Sequence, residues 1–327
     1  MGDLEPIYST TRMESVAQFV TAHYPLPLPL DCRMVNRGFN DTYALTATDG
    51  TRYMFRLSHH RARGPADVRT ETEFITHLAR SGVPVASPVP TRDGALFARG
   101  RAAEGMREGV LFGALDGRMP ELNSAADARA NGITLAKMHN AAETFVLTAP
   151  LYRLDLDHLL HRPMARIQGS GVVDKPGALA ELEGLAARTA ASIEAFDDLT
   201  WTHCHGDCHG FNARIMTNGE AAFFDFDDGG RGYLGYDLGV FLWAKISFGR
   251  KLHTIWDAFI EGYRTIRPIK PDDLEAAHAF VIVRHLWVMG EYGSRVGEWG
   301  TEPISWIGRE VDFLKGWEVD RLGTRLF

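Results

Sequence analysis

The chain has 327 residues, 45% of them hydrophobic and 24% charged, which excludes a largely disordered or fibrous protein and predicts two globular lobes. The formal net charge of −7 gives no general support for nucleic acid as a partner, and no apolar run approaches the ~20 residues that a membrane span needs. Three cysteines are too few for a disulfide framework and the N-terminus lacks the features of a signal peptide, so we expect a cytoplasmic protein without a membrane partner.

Helices and short strands alternate in the first third of the chain. An apolar stripe predicts a helix over residues 12–22, and Gly64-Pro65 opens a second helix that continues to Arg80. Between these helices, Asp49-Gly50 separates two alternating segments and favours a two-residue β-hairpin loop. We therefore expect a β-rich N-terminal region with strands over residues 42–48, 52–57, 83–89, 96–99 and 110–115.

The pattern becomes mostly helical after Gly117. Ser124 followed by Asp127 resembles a capping box, and helices are predicted over residues 124–142, 155–167 and 179–196 and again after Gly235. A hairpin is expected near residues 211–226. These patterns predict an α+β protein with an N-terminal lobe of residues 1–113 and a C-terminal lobe of residues 114–327, joined near residues 112–116.

The densest cluster of chemically reactive side chains lies between Trp201 and Gly230. One interpretation is a structural zinc site, because the cluster contains the possible ligands His203, Cys204, His205, Cys208 and His209. No second pair of cysteine or histidine ligands follows at the distance that is typical of a zinc finger. Zinc therefore remains an alternative to the interpretation below.

A second interpretation begins from the hairpin. Asn218-Gly219 favours a two-residue type I′ loop, which would place Asn212 and Asp225 directly opposite each other on one sheet face, with Cβ atoms ~5 Å apart. Two oxygen-bearing side chains in that arrangement suit a hard divalent cation such as Mg²⁺. A simple cross-strand hydrogen bond between Asn212 and Asp225 is the structural alternative.

The spacing of Asp207, Asn212 and Asp225 favours the metal-binding interpretation over a simple hydrogen bond. Asp207 lies five residues before Asn212, which is the Asp-to-Asn spacing of the kinase catalytic loop, and Asp225 stands where a Mg²⁺-binding aspartate follows. From Met34 to Trp243 the chain resembles the aminoglycoside phosphotransferase/choline kinase superfamily, and within it the branch of type II homoserine kinases, spore-coat kinase-like proteins and stress response kinase. The motifs that carry this resemblance are His205-Gly206-Asp207 with Asn212, Phe224-Asp225-Phe226-Asp227 and Tyr236-Asp237-Leu238.

The resemblance implies a bilobal protein-kinase-like fold and ATP-dependent, Mg²⁺-assisted transfer of phosphate to a hydroxyl. In that scheme Asp207 positions and deprotonates the acceptor, while Asn212 and Asp225 hold Mg²⁺. Asp227 is either a second metal contact or a structural carboxylate. Asp237 is expected to cap a helix or anchor the loop.

The N-terminal lobe offers an independent test, since a kinase fold pairs a basic strand residue with an acid on the following helix. Arg56 is the basic candidate. At 100° per residue, the apolar residues of the helix lie within about 60° of Glu71, so that carboxylate falls inside the apolar stripe and needs a partner. We expect an Arg56–Glu71 ion pair in the nucleotide cleft, and a solvated charge at Glu73.

Four more residues are assigned to the nucleotide through the resemblance alone. Gly38 and Asn40 belong to a loop between two strands, where either phosphate contact or a plain turn is possible. Backbone groups of Gly113 and Leu115 would meet adenine at the hinge.

The activity that these residues predict is an ATP-dependent O-phosphotransferase acting on a small hydroxyl compound, such as an amino alcohol, a homoserine-like compound or an aminoglycoside-like sugar. A Ser/Thr protein kinase is the second candidate, and a non-catalytic nucleotide-binding or zinc-stabilised protein is the third. Trp243, Trp287, Tyr292 and Trp299 belong either to the substrate pocket or to the core. The sequence leaves the oligomeric state and the choice between ATP and GTP open.

Overall fold

In a computed structural model of the chain, residues 4–59, 64–149, 153–173, 175 and 177–322 are described. The chain divides into two compact units. The first contains Met1–Gly117, Thr144–Leu151 and Ala222–Asp227, and the second contains Arg118–Glu143, Tyr152–Ala221 and Asp228–Phe327. The predicted α+β fold class is confirmed, with the β-rich region first and the helical region second.

The first unit is built on one five-stranded antiparallel sheet with the strand order β1-β2-β3-β5-β4. Its helices and strands, in chain order, are α1 (Met13–His23), β1 (Leu30–Arg37), β2 (Asp41–Ala47), β3 (Arg52–Leu57), α2 (Pro65–Arg80), β4 (Ala98–Ala102) and β5 (Gly105–Gly113).

Apolar side chains from the sheet and from α1 form the core of the first unit. Tyr43, Phe55 and Leu111 from three adjacent strands are fully buried together with Val16 and Val20 of α1. Burial of each such side chain stabilises the fold by ~1.5–3 kcal/mol. Helix α2 carries the apolar stripe that the sequence predicts, with Val68, Phe74, Ile75 and Leu78 buried.

The second unit consists mainly of helices and contains a three-stranded sheet with the order β6-β10-β7. One turn of π-helix (Asp157–His161) leads into α4, and a 3₁₀ segment (Glu302–Arg309) leads into α10. The helices and strands of the second unit, in chain order, are α3 (Ala125–Ala142), β6 (Arg153–Leu154), α4 (Arg162–Ser170), α5 (Ala178–Glu194), β7 (Trp201–Cys204), β8 (Ala213–Ile215), β10 (Gly230–Tyr233), α6 (Leu234–Ile246), α7 (His253–Arg264), α8 (Pro271–Gly293), α9 (Val296–Trp299) and α10 (Val311–Trp317). The boundary between the units falls within β9 (Ala221–Phe223), after Ala221.

Two helices form the centre of the second unit. All residues of α6 are buried, because its sequence is apolar on every side except at Asp237 and Lys245, and α8 packs along it with most of its own residues buried. The close approach depends on Gly239, where a Cβ atom would lie 2.7 Å from that of Phe280. Among the described residues, no helix is long and apolar enough to cross a membrane.

Both predicted hairpin loops have three residues rather than two. In the loop at Asp49, the amide of Ala47 donates to the carbonyl oxygen of Thr51, and the amide of Gly50 donates to that of Ala47. In the second loop, the amide of Met216 donates to the carbonyl oxygen of Glu220, and the amide of Gly219 donates to that of Met216. In these two loops, Gly50 and Gly219 have positive φ values, +82° and +83°, whereas Asp49 and Asn218 do not. A type I′ turn would require a positive φ at Asp49 and Asn218 as well.

The side chains that precede these glycines explain the difference. Asp49 Oδ1 accepts a hydrogen bond from the amide of Thr51, and Asn218 Oδ1 accepts one from Glu220. Each bond favours a type I turn followed by a left-handed glycine. The change in loop length shifts the register by one residue. Asn212 also precedes β8 and Asp225 follows β9, so the predicted cross-strand pairing of these two residues is wrong.

Candidate active site

The predicted ion pair of the first unit is present. Arg56 on β3 donates to both carboxylate oxygens of Glu71 on α2, at 2.7 and 2.5 Å, and both side chains are buried. Burial acts to lower the pKa of Arg56, but the carboxylates of Glu71, Asp227 and Asp225 raise it above its usual range. Arg56 is therefore a fixed cation. Glu73 is half-buried and accepts a hydrogen bond from Thr148, so it is not simply a solvated charge.

Two further carboxylates of the first unit lie beside this pair. Asp225 Oδ1 is 3.9 Å from Arg56 Nη1, and its side chain keeps 43% exposure. Its φ of +66° is unusual for a residue other than glycine. Phe223, two residues earlier, exchanges backbone hydrogen bonds with residues 84 and 86 and so ties this segment to the first unit. Asp225 therefore presents a carboxylate next to a fixed guanidinium.

Asn40 lies in the predicted loop between β1 and β2. Its Nδ2 donates to Asp227 Oδ2 at 2.6 Å, and its Oδ1 accepts from the amide of His59 at 3.1 Å. The side chain of Asn40 therefore positions Asp227. The amide of Gly38 donates to the carbonyl oxygen of Asn40 at 3.1 Å, which closes the turn.

A buried ion pair that the sequence analysis did not find secures the strand ends beside this loop. Arg107 is 1% exposed and Asp41 is fully buried, with 2.9 Å between them. Arg107 also donates to the carbonyl oxygens of Leu57 and Ser58. Tyr8 donates to the other oxygen of Asp41. The ends of β2 and β3 are fixed by a satisfied polar network.

The predicted hinge residues lie at the end of β5. Gly113 is the last residue of the strand, and its amide donates to the carbonyl oxygen of Ser87 at 3.1 Å. Ala114 donates to the carbonyl oxygen of Arg52. Within the described part of the chain, no backbone hydrogen bond involves Leu115. The backbone groups of Leu115 thus differ from those of Gly113 and Ala114, whose amides are both used.

The catalytic-loop motif of the second unit is anchored by Asp237, as expected. Asp237 is fully buried and accepts hydrogen bonds from the amides of His205 and Gly206, at 2.7 and 2.8 Å, and from His139 Nε2 at 3.1 Å. Gly206 has a φ of +81°, and a Cβ atom there would lie 2.0 Å from the carbonyl oxygen of Asp228. Only glycine fits this position, so the loop geometry is fixed by its own sequence.

Asp207 follows this anchored turn and keeps 17% side-chain exposure. Asn212 Nδ2 donates to the backbone oxygen of Asp207 at 3.0 Å and to its Oδ2 at 2.8 Å. Because its amide nitrogen points at Asp207, Asn212 has its Oδ1 directed elsewhere. The two motif residues are thus held by each other.

A residue that the sequence analysis missed completes this cluster. Arg284 on α8 donates through Nη2 to Asp207 Oδ1 and through Nη1 to the carbonyl oxygen of Gly206 at 3.3 Å. Burial acts to lower the pKa of Arg284, but Asp207 together with Tyr236 and Asp228 raises it. A guanidinium that is only 4% exposed therefore orients the carboxylate of the predicted base. The available signal was an arginine within the mostly apolar segment 279–290 of α8, which requires a buried partner.

The two tryptophans nearest to this cluster are buried. The guanidinium of Arg284 lies 5.4 Å from the ring of Trp243 and 4.4 Å from that of Trp287. Tyr292 and Trp299 are half-buried and contact each other with ring centroids 5.6 Å apart. Trp243 and Trp287 thus pack against the guanidinium of Arg284.

The possible zinc ligands do not form the predicted group. Among the described residues, the one set of three potential ligands close enough for a metal combines Cys204 with His139 and Asp237. The oxygens of Asp237 already accept three hydrogen bonds, and burial raises the pKa of the Cys204 thiol well above its usual range. This set is a hydrogen-bonded anchor of the loop, and the zinc interpretation loses its geometric basis.

Comparison with known proteins identifies the family of the chain. The model of the phosphotransferase enzyme family (APH) matches residues 31–269, which is more than half of the chain. The chain belongs to this family. A homoserine kinase of Allorhizobium ampelinum is 30% identical over 327 residues, covering 96% of this chain and 97% of that protein. An uncharacterized protein of Deinococcus radiodurans is 38% identical, covering 95% and 92%.

Solved kinases share the fold of this phosphotransferase. A microcompartment-associated aminopropanol kinase has a TM-score of 0.81 at 21% identity, covering 96% of this chain and 100% of that one. An amicoumacin kinase, solved with AMP-PNP, Ca²⁺ and its ligand, has a TM-score of 0.76 at 17% identity, covering 92% and 93%. The predicted kinase-like fold and small-molecule phosphotransferase class are confirmed, and nothing favours the protein kinase.

Proposed function

We propose that this phosphotransferase transfers the γ-phosphate of ATP to a hydroxyl group of a small molecule, with Asp207 as the base. The observation that carries the proposal is the fixed position of Asp207, which Arg284 and Asn212 hold while part of the carboxylate stays exposed. Asp207 orients the acceptor hydroxyl and accepts its proton as the new P–O bond forms and the bond to the β-phosphate oxygen breaks.

The first unit binds the nucleotide in this proposal. Arg56, fixed by Glu71, neutralises the α- and β-phosphates with a guanidinium that cannot lose its proton. Gly38 and Asn40 form the loop that covers the phosphates. Gly113 and Leu115 border the adenine.

Mg²⁺ is the metal that suits the donor set. Asn212 offers Oδ1, since its Nδ2 is used by Asp207, and Asp225 offers a partly exposed carboxylate. Carboxylate and amide oxygens are ligands that hard cations prefer. A Mg²⁺ ion held by these residues would neutralise the negative charge that develops during phosphate transfer. Asp227, which Asn40 holds, is assigned a structural role.

The acceptor is proposed to be an amino alcohol or a homoserine-like compound. Relatives named as homoserine kinases match nearly the full length of this chain, and an aminopropanol kinase shares its fold. Asp237 follows Asp225 by only 12 positions, too few for the long loop that usually binds a peptide in a protein kinase.

A screen of ATP consumption over hydroxylated metabolites tests the proposal. Amino alcohols, hydroxy amino acids, aminoglycosides and casein are each incubated with wild type and with Asp225→Asn as the blank. We expect rapid, stoichiometric phosphorylation of one small compound by wild type alone. Phosphorylation of casein without turnover of any metabolite would contradict the proposal.

A further inference from the structure

Lys245 is a buried lysine near the end of α6 in the second unit. The residue is only 3% exposed to solvent. Its ammonium nitrogen lies 4.9 Å from the ring centroid of Phe211 and 4.6 Å from that of Phe241. In the described part of the chain, no carboxylate pairs with this ammonium group and no oxygen accepts a hydrogen bond from it. Among the described residues, the groups that stabilise the charge of the buried Lys245 are therefore the faces of these two aromatic rings.

Burial of an ammonium group without an anion is costly. Lys137, Lys270 and Lys315 are all more exposed than Lys245, yet each pairs with a carboxylate, of Glu220, Asp198 and Glu181 respectively. At Lys245, burial lowers the pKa to about 8, and the charge of Arg250 adds to the effect. Cation–π contacts offset only part of the cost of desolvation. The fold therefore maintains an unpaired positive charge at this position.

The position lies directly beside the catalytic loop. Phe211 immediately precedes Asn212, and a Cβ atom on Gly210 would come within 3.2 Å of the Lys245 nitrogen. Gly210 has a φ of +95°, and a Cβ atom there would also lie 2.9 Å from the ring of Phe241, so the backbone and this ring favour glycine here. The charge of Lys245 also contributes to the lowered pKa of His209, for which burial is the main cause. Lys245 thus faces the segment that joins Asp207 to Asn212.

The acidic group of the loop does not neutralise Lys245. Arg284 and Asn212 already bind both oxygens of Asp207. We propose that Lys245 binds an anionic oxygen group of the ligand, the carboxylate of the acceptor, while Asp207 receives the acceptor hydroxyl. This assignment rests on the proposed function and narrows the acceptor to a hydroxy acid or hydroxy amino acid. A phosphate of the nucleotide offers the same chemistry, and the kinetics below distinguish the two sources.

The test compares Lys245→Met, which keeps the length of the side chain, with Lys245→Arg, which keeps the charge. L-homoserine, its amide and the corresponding amino diol serve as acceptors, and Lys270→Met is the control at a paired surface lysine. We expect Lys245→Met to raise the KM for the carboxylate acceptor about 10–100-fold and to change the KM for ATP less than about twofold. The amide and the diol should be poor acceptors for wild type and insensitive to the substitution, and Lys245→Arg should recover most of the loss.

Thermal unfolding distinguishes binding from a structural role. Removal of an unpaired buried cation should raise the Tm of Lys245→Met, whereas a residue that only supports the loop would give a lower Tm. If Lys245→Met lost activity equally with all acceptors, or showed a selective rise in the KM for ATP, the assignment of Lys245 to the acceptor carboxylate would be overturned. If no hydroxyl compound in the screen is phosphorylated, the proposed function fails, and titration calorimetry with inorganic phosphate decides the anion site. Weaker phosphate binding by Lys245→Met than by wild type would support the site, and equal or no binding would refute it.

Discussion

Each unit of the protein buries an arginine and pairs it with a carboxylate, but the two pairs leave different groups accessible. In the first unit, Arg56 and Glu71 are both almost fully buried, with 6% and 7% side-chain exposure. In the second unit, Arg284 is equally buried at 5%, whereas Asp207 keeps 17%. In the Arg56–Glu71 pair neither side chain is accessible to any large extent, whereas in the second pair Arg284 supports a carboxylate, that of Asp207, which remains accessible to a ligand.

The difference matches the chemistry proposed for each unit. Nucleotide phosphates need a permanent cation, so Glu71 serves to position Arg56. An acceptor hydroxyl needs an oriented carboxylate, so Arg284 serves to position Asp207. Arginine and carboxylate therefore exchange roles between the units. In each unit the positioning residue lies on a helix, Glu71 on α2 and Arg284 on α8.

The largest effect is expected at Asp225, the carboxylate proposed to hold the metal. Asp225→Asn keeps a residue that tolerates the left-handed backbone, so the fold should persist. Loss of metal-assisted charge stabilisation, worth several kcal/mol, should lower kcat by about 10³-fold or more. Steady-state rates at saturating Mg²⁺ and circular dichroism measure the two quantities. Asp198→Asn, at an exposed ion pair, is the control, and near-normal turnover by Asp225→Asn would contradict a catalytic need for the negative charge of Asp225.

The Arg284–Asp207 pair comes second. Arg284→Met leaves Asp207 without its buried cation, and we expect unfolding free energy to fall by about 2–4 kcal/mol and kcat by at least about tenfold. Urea denaturation and acceptor kinetics provide the measurement, with Arg264→Met on the exposed face of α7 as the control. Unchanged kcat in a folded Arg284→Met protein would mean that Arg284 does not position the base.

This pair also illustrates the limit of the sequence analysis. Glu71 was identified because Arg56 and the following helix are close in sequence and the helical periodicity placed a carboxylate in an apolar stripe. Arg284 was missed because its partner lies 77 residues away and only tertiary structure brings the two together. The hairpin register was mispredicted because Asn-Gly fits both a two-residue and a three-residue loop. The Asn218 side chain decides between them through its hydrogen bond to the amide of Glu220.

Substitution in the Arg56–Glu71 pair of the first unit should affect the KM for ATP rather than kcat. Glu71→Gln weakens the fixation of Arg56 and should raise the KM for ATP about tenfold, with the KM for the acceptor nearly unchanged. Glu73→Gln, on the same helix and hydrogen-bonded only to Thr148 among the bonds described above, is the matched control and should change either KM less than about twofold. Equal effects of the two substitutions would show that the buried pair does not serve the nucleotide.

The smallest effect concerns the two hairpin glycines, one in each unit. Gly50→Ala and Gly219→Ala place a side chain on left-handed backbone in open space, so each should cost about 1–2 kcal/mol of unfolding free energy without changing kinetics. Gly169→Ala, in helix α4 with no close neighbour, should be neutral or slightly stabilising. Chemical denaturation checks all three. A loss of activity at Gly219→Ala alone would indicate that the second hairpin has a catalytic role that its turn geometry does not explain.

The central claim is that Asp207 is the base of a phosphotransferase, and its most direct test is Asp207→Asn assayed with the acceptor that the screen identifies. The substitution keeps the shape of the side chain and removes its ability to accept a proton. General-base assistance is worth about 10²–10⁴-fold, so kcat should fall within that range while the affinity for an ATP analogue stays nearly unchanged. Wild-type turnover by Asp207→Asn with that acceptor would contradict the assignment of the catalytic loop.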